Sequence, residues 1–132
     1  MEPTDDRVAI AVDTALPAPV DARRMSDDGP FGATIRVGEI TDAAAFEEAR
    51  KPELFRLRID LGDEVVGSAA QLGYHHTPDE VVGKQVLCAT NLGTVNVAGF
   101  ESEVLTLGVP GDDGNPVLVV PDDEVPLGGA LY

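Results

Sequence analysis

Residues 91–110 read NLGTVNVAGFESEVLTLGVP. Asn91 closes an apolar run, and the chain then passes through small and polar residues to Ala98-Gly99-Phe100-Glu101-Ser102. These five feed a second apolar segment, 103–109, expected to be a strand. A loop of this length between two strong strands is where a β-scaffold usually carries its function. The stretch therefore points to a β-rich fold and marks the place to look for a site.

Working outward, residues 84–90 (KQVLCAT) read as a buried strand. Residues 54–61 give the cleanest alternation: Phe55, Leu57, Ile59 and Leu61 face one way, Arg56, Arg58 and Asp60 the other. Gly62-Asp63 turns this strand into another at 64–72. At 34–41, Ile35 and Val37 share a face and Ile40 falls out of phase after Gly38, which predicts a β-bulge at the glycine. The intervening 42–53 reads as a helical or irregular connection. Thr77-Pro78-Asp79-Glu80 combines a capping hydroxyl, a proline suited to the first helical position and a capping-box glutamate; Gly83 stops that helix after about one turn. Downstream, residues 111–115 (GDDGN) form a hairpin tip leading into 117–120. Short strands, one small helix between the third and fourth of them, and a bulged first strand give the expected fold class: all-β with one short helix, a five-stranded OB-fold barrel. An immunoglobulin-like sandwich would want about seven strands.

The 132 residues suit one domain, read as an N-terminal arm over 1–30 and an OB-type domain over 31–132. Within the arm, Val8, Ile10 and Val12 are a candidate added strand or dimer-clasping segment, the simpler reading being a mobile arm. Met25 would also serve as an initiator, so the first 24 residues are open to being non-native. The formal net charge is −15, from 9 Lys+Arg against 24 Asp+Glu. Acids spread along the whole chain favour adaptation to high salt, where screening makes self-repulsion cheap, over an acidic surface for one basic partner. Cys88, the one cysteine, excludes an internal disulfide and sits among apolar neighbours; a cytoplasmic site is the simplest expectation. No segment has the length of a membrane span, and the acidic N-terminus does not resemble a signal peptide.

No catalytic constellation emerges. His75 and His76 are adjacent, so on an extended chain their side chains diverge, and no further Cys or His lies at ligand spacing. The pair reads as a polar loop beside the helix cap, with no metal and no cofactor expected. No hydroxyl comes with a credible base, no carboxylate pair sits in an apolar setting, and Gly128-Gly129 matches neither phosphate-loop pattern. The protein reads as a non-enzyme.

The cations are more telling. Residues 1–58 hold eight of the nine, against twelve acids; residues 59–132 hold Lys84 alone, against twelve. Arg56 and Arg58 share the outward face of one strand, and Arg36 is expected on the polar face of its neighbour, the side on which OB folds take oligonucleotides. Pairing of these arginines with nearby carboxylates on a solvated face is the other reading, and both stand at this point. Tyr74 and Phe100, both in loops, are the candidates for stacking on a base, with core packing the alternative for Phe100.

From residue 35 to 131 the order of short motifs resembles the tRNA-binding domain family. The series runs Arg-Val-Gly-Glu-Ile, Glu-Ala-Arg-Lys-Pro, Leu-Arg-Ile-Asp-Leu-Gly and Ser-Ala-Ala-Gln. It continues through Thr-Pro-Asp-Glu-Val-Val-Gly-Lys-Gln-Val, Asn-Leu and Ala-Gly-Phe-Glu-Ser-Glu-Val-Leu to Pro-Asp-x-x-Val-Pro. Within that family the chain is similar to the CsaA-like branch of small stand-alone proteins, described as export-related chaperones. The resemblance implies an OB fold, a homodimer, shape-based binding to tRNA, and binding of unfolded preproteins as an alternative function. It carries over Arg50, Ser68, Gln71, Asn91 and Ser102 as polar RNA contacts; with Lys51, Arg56, Arg58 and Phe100 these make the expected RNA-binding set. Departures are concentrated where the family is basic. The loop after Asn91 has Gly93-Thr94-Val95-Asn96 instead of Pro-Pro and basic residues, Glu101 replaces a lysine before Ser102, and Val66-Gly67 replace Lys-Gln before Ser68.

Overall fold

The computed structural model describes residues 32–132. The expectations on Val8, Ile10 and Val12, and Phe31 itself, lie outside the described residues. The strands are β1 (Ile35–Ala45), β2 (Leu54–Asp60), β3 (Val65–Gln71), β4 (Gln85–Ala89), β5 (Val95–Val97), β6 (Phe100–Ser102), β7 (Leu105–Thr106), β8 (Gly108–Pro110) and β9 (Pro116–Leu118). The helix α1 covers Pro78–Val81, and a single 3-10 turn covers Glu47–Ala49. Five strands form one antiparallel sheet in the order β3-β2-β1-β4-β7, with two side hairpins, β5-β6 and β8-β9. This is the five-stranded OB-type barrel expected from the strand pattern.

β1 organises the barrel because it serves two neighbours along its length. Its first half pairs with β4, from Ile35↔Ala89 to Glu39↔Gln85. Its second half pairs with β2, from Glu39↔Asp60 to Ala45↔Phe55. The bend between the halves is a register shift between Ile40 and Asp42, not at Gly38 as the phase slip predicted. Gly38 serves a different need: a Cβ there would lie 2.4 Å from Cγ2 of Ile59, so only glycine lets β2 side chains close over β1. The strand also runs on to Ala45, so most of the expected irregular 42–53 connection shrinks to the 3-10 turn and a few flanking residues.

The alternation read on β2 holds. Phe55, Leu57 and Ile59 face the barrel interior with Ile40, Leu61, Val66, Val81, Val86, Cys88, Val104 and Leu118. Helix α1 caps this core with Val81, and its capping box is complete: the Thr77 hydroxyl accepts from Glu80 N–H, and the Glu80 carboxylate accepts from Thr77 N–H. After β9 the chain returns to β1. The Gln85 side-chain amide donates to Val125 O and accepts from Val125 N–H. Backbone bonds then join Val37 to Gly128 and Gly129, and Ile35 to Leu131. Arg36 is used up here, donating to Gly128 O and pairing with Asp63 at 3.0 Å. It therefore does not join Arg56 and Arg58, contrary to the sequence expectation.

The largest difference concerns residues 91–110. The expected loop and single strand are a hairpin, β5-β6, followed by two short strands, β7 and β8. The hairpin turns at Ala98 and Gly99, both at positive φ (48° and 88°), the arrangement of a type I′ turn, and Asn96 Oδ1 accepts from Gly99 N–H. A turn built on Ala-Gly lacks the Asn-Gly or Asp-Gly signature that announces such hairpins.

Candidate functional site

The hairpin folds over the outer face of β2 and β3, giving that face an apolar floor of its own. Phe46, Leu54 and Ala69 are buried there, with Ala49, Val97 and Phe100 packed against them. Phe46 and Phe100 meet edge to face, ring centres 5.7 Å apart and planes at 78°. The guanidinium of Arg56 lies 5.4 Å from the centre of the Phe46 ring, and that of Arg58 lies 5.3 Å from the centre of the Phe100 ring. The four side chains form one ladder, Arg56-Phe46-Phe100-Arg58, with both arginines exposed. Among the described residues no ion pair joins Arg56 or Arg58 to a carboxylate, whereas Arg36 has Asp63 and Glu64. Among the described residues, pairing with acids, the second reading of this face, does not occur for these two arginines.

Gly67 makes the arrangement possible. A Cβ at this β3 position would sit 2.8 Å from Phe100 Cζ and 2.8 Å from Glu101 O. Glycine there lets the hairpin lie directly on β3. Neither Phe46 nor Gly67 was singled out as a site residue from sequence. Sequence offered Gly67 and Glu101 only as two separate departures from the family pattern; the fold brings them together.

Ser68 and Ser102 have another role. β3 is an edge of the main sheet, and its outward N–H groups need partners if the barrel is to close. Ala69 N–H donates to Ser102 Oγ at 3.0 Å, Gly67 N–H donates to a Glu103 carboxylate oxygen at 3.0 Å, and Glu103 N–H donates to Gly67 O at 2.8 Å. The Ser68 hydroxyl shares a 2.8 Å bond with Thr106 Oγ1. Ser68 and Ser102 are both 0% exposed, so their hydroxyls close the barrel and present nothing to the surface.

The remaining expected residues are dispersed. Arg50 ends the 3-10 turn in the left-handed region, φ 59°, with its side chain exposed just beyond the Phe46 floor. Lys51 follows it and is half-buried, its carbonyl accepting from Leu54 N–H. Gln71 is half-buried at the end of β3, opposite Leu54. Asn91 lies off this face: its side-chain amide accepts from Thr34 N–H and donates to Gly32 O, pinning the start of β1 to the end of β4. Tyr74 is exposed, its hydroxyl donating to Glu53. Arg56, Arg58 and Phe100 are thus the expected residues that the fold gathers into one surface.

His75 and His76 diverge. His75 Nε2 lies 2.9 Å from Asp113 Oδ1 on the β8-β9 turn, while His76 is enclosed beside α1 with neither ring nitrogen hydrogen-bonded. Asp113 is held well below the usual carboxylate range, first by the Asn115 backbone N–H and then by His75. Burial pushes the Cys88 thiol up to about 12, against a smaller opposing effect of its hydrogen bond with Thr106. Among the described residues no cluster of three or more His, Cys, Asp or Glu is arranged to hold a metal, and no helix is long and apolar enough to cross a membrane.

With this geometry established, similarity to known proteins is informative. Residues 35–130 match the family described as "Putative tRNA binding domain". The fold superimposes on the crystal structure of the CsaA chaperone protein of Picrophilus torridus with a TM-score of 0.68 at 35% identity, covering 76% of this chain and 92% of that one. The CsaA chaperone of Bacillus anthracis gives 0.69 at 33% identity, covering 76% and 91%. The methionine–tRNA ligase of Haloarcula marismortui is 34% identical over 117 residues, which is 89% of this chain but 16% of the ligase. The chain thus spans only a small part of the curated relatives it matches, while covering nearly all of the two CsaA chains. The motif order, the barrel and these matches agree: the chain belongs to the tRNA-binding domain family and is of the CsaA type.

Proposed function

We propose that this protein binds tRNA without catalysing a reaction, recognising the folded RNA by shape and hydrogen bonds across the outer face of β2 and β3. The observation that carries the reading is the pair of exposed arginines, Arg56 and Arg58, unpaired with acids among the described residues and packed on aromatic rings, in a chain whose residues 35–130 match a tRNA-binding family. In the proposed contact set Arg56, Arg58 and Phe100 form the centre, and Arg50, Lys51 and Gln71 lie along the adjoining chain. Asn91, Ser68 and Ser102 hold the frame. The few cations fit a high-salt cytoplasm, where counter-ion release contributes little and stacking and hydrogen bonds supply more of the affinity. Filter binding of unfractionated deacylated tRNA in molar KCl tests this; absence of saturable binding there rejects it.

A second reading is favoured by a separate observation. The CsaA relatives are named chaperones, and Val109, Val120, Leu131 and Tyr132 are exposed apolar side chains. In this reading a homodimer buries part of that surface and offers the rest to unfolded polypeptides. Suppressed aggregation of a denatured client, without tRNA binding, selects it. A monomer mass by light scattering at high salt rejects the dimer.

A further inference from the structure

We infer that Phe46 and Phe100 are positioning residues that hold Arg56 and Arg58 as a fixed pair, shaped to grip two successive phosphates of one RNA strand. The inference rests on the tRNA-binding reading and adds to it which atoms do the holding, and why so acidic a protein can use so few cations. Arg56 and Arg58 lie two residues apart on β2, on the same face, which sets their strand positions roughly 6.5–7 Å apart. That spacing is of the order separating neighbouring phosphates along a single strand. Each guanidinium is centred between 5 and 6 Å from its ring, within the range of a cation–π contact. The two rings are themselves locked edge to face, and Phe46 is only 2% exposed. One side of each guanidinium is thus occupied by an aromatic ring, while the side chain remains open to solvent.

A free arginine loses rotamer entropy when it grips a phosphate; an arginine already laid on a ring loses less. This advantage does not depend on long-range attraction, so it survives in salt that screens bulk charge. Gly67 and Glu101 fit the same scheme. Glycine at 67 admits the Phe100 ring that backs Arg58, with the Glu101 carbonyl lying over the same position. The ladder is also a small hydrophobic cluster. A purely structural role would therefore require only apolar bulk at 46 and 100, and only a long stem at 56 and 58.

The test compares charge, flatness and aromatic backing in the full chain, by tRNA filter binding across a KCl series with Tm measured for each variant. Arg56→Lys with Arg58→Lys keeps both charges at exposed positions but loses the flat stack and bidentate fork; a fall in affinity of about fivefold to tenfold is expected. Phe100→Leu keeps apolar filling and is expected to weaken binding about threefold to tenfold, while Phe100→Tyr restores it. Arg56→Gln with Arg58→Gln should also lower the slope of log K against log [KCl] by about 1.4–1.8, two phosphates' worth. If the wild type does not bind tRNA at all, the function proposed above fails. If it binds but the double-lysine and Phe100→Leu proteins bind within twofold of it, the arginines act as simple charges or not at all, and the positioning inference alone is overturned.

Discussion

Ser102 offers a direct test of how this barrel is closed. The family resemblance makes its hydroxyl an RNA contact, whereas the structure makes it the acceptor for Ala69 N–H at 3.0 Å, at a site with no solvent exposure. Replacing Ser102 by Ala leaves that N–H without its partner on the edge of β3. A buried donor stranded in this way costs about 1–3 kcal/mol, more than the net value of the bond itself. For a domain of this size each kcal/mol corresponds to about 4–8 °C in Tm. Ser102→Ala is therefore expected to melt well below the wild type, and chemical denaturation in molar KCl should show a lower midpoint with an unchanged m-value. The tRNA affinity of the folded fraction should stay within about twofold of wild type. Removing the acceptor loosens the seam between β3 and the 102–104 segment; amide exchange should quicken first at Gly67 and Ala69. The opposite pattern, an unchanged denaturation midpoint with affinity down tenfold, would falsify the assignment of Ser102 to the barrel seam and return it to the RNA surface.

Other expectations concern different parts of the chain. Ala98 holds a left-handed conformation that L side chains enter at a cost of about 1–2 kcal/mol, so Ala98→Asn, which gives the favoured Asn-Gly turn, should raise stability by up to about 1 kcal/mol in denaturant titrations. Gly67→Ala should do the reverse, costing about 1–3 kcal/mol through overpacking against Phe100 and the Glu101 carbonyl, with proteolysis of the β5-β6 hairpin as a second readout. The Asp113 carboxyl is lowered on folding, so its contribution is present above the ordinary value of 3.8 and is lost as pH falls toward the folded one. Asp113→Asn should consequently flatten the acid limb of a Tm–pH curve below about pH 4 and lower Tm by a constant amount above it. The Cys88 thiol, pushed up to about 12, should resist iodoacetamide at pH 8 in the native protein and react on unfolding. Stability should rise from dilute buffer to molar KCl, given the net charge of −15; no change would count against high-salt adaptation.

Local chemistry explains why some of this molecule was legible from residues alone. The apolar face of β2, the capping box at Thr77 and Glu80 and the turn at residues 111–115 each follow from side-chain period or from interactions a few residues apart. Such signals survive without knowledge of the rest of the fold. The outward placement of Arg56 and Arg58 belongs with them, because alternation on one strand settles it.

Residues 91–110 belong to the other kind. Their composition marked the stretch and its motif order tied it to a family, but its conformation depends on residues far away in sequence. Ala98-Gly99 turns without the usual asparagine because the hairpin is held from below by Phe46 and seated against Gly67. Ser102 and Glu103 close the barrel because β3, more than thirty residues earlier, ends the sheet with unpaired N–H groups. Whether Arg36 faces a ligand or an acid was likewise beyond local pattern; the tail at Gly128 and the turn at Asp63 claim it. Alternation, caps, charge balance and family are legible in residues read along the chain; which polar groups are spent internally and which stay on the surface is settled by folding. The reason is physical: a side chain's hydrogen-bond partner and burial depend on what the folded chain brings beside it, and that is not written in its neighbours along the backbone.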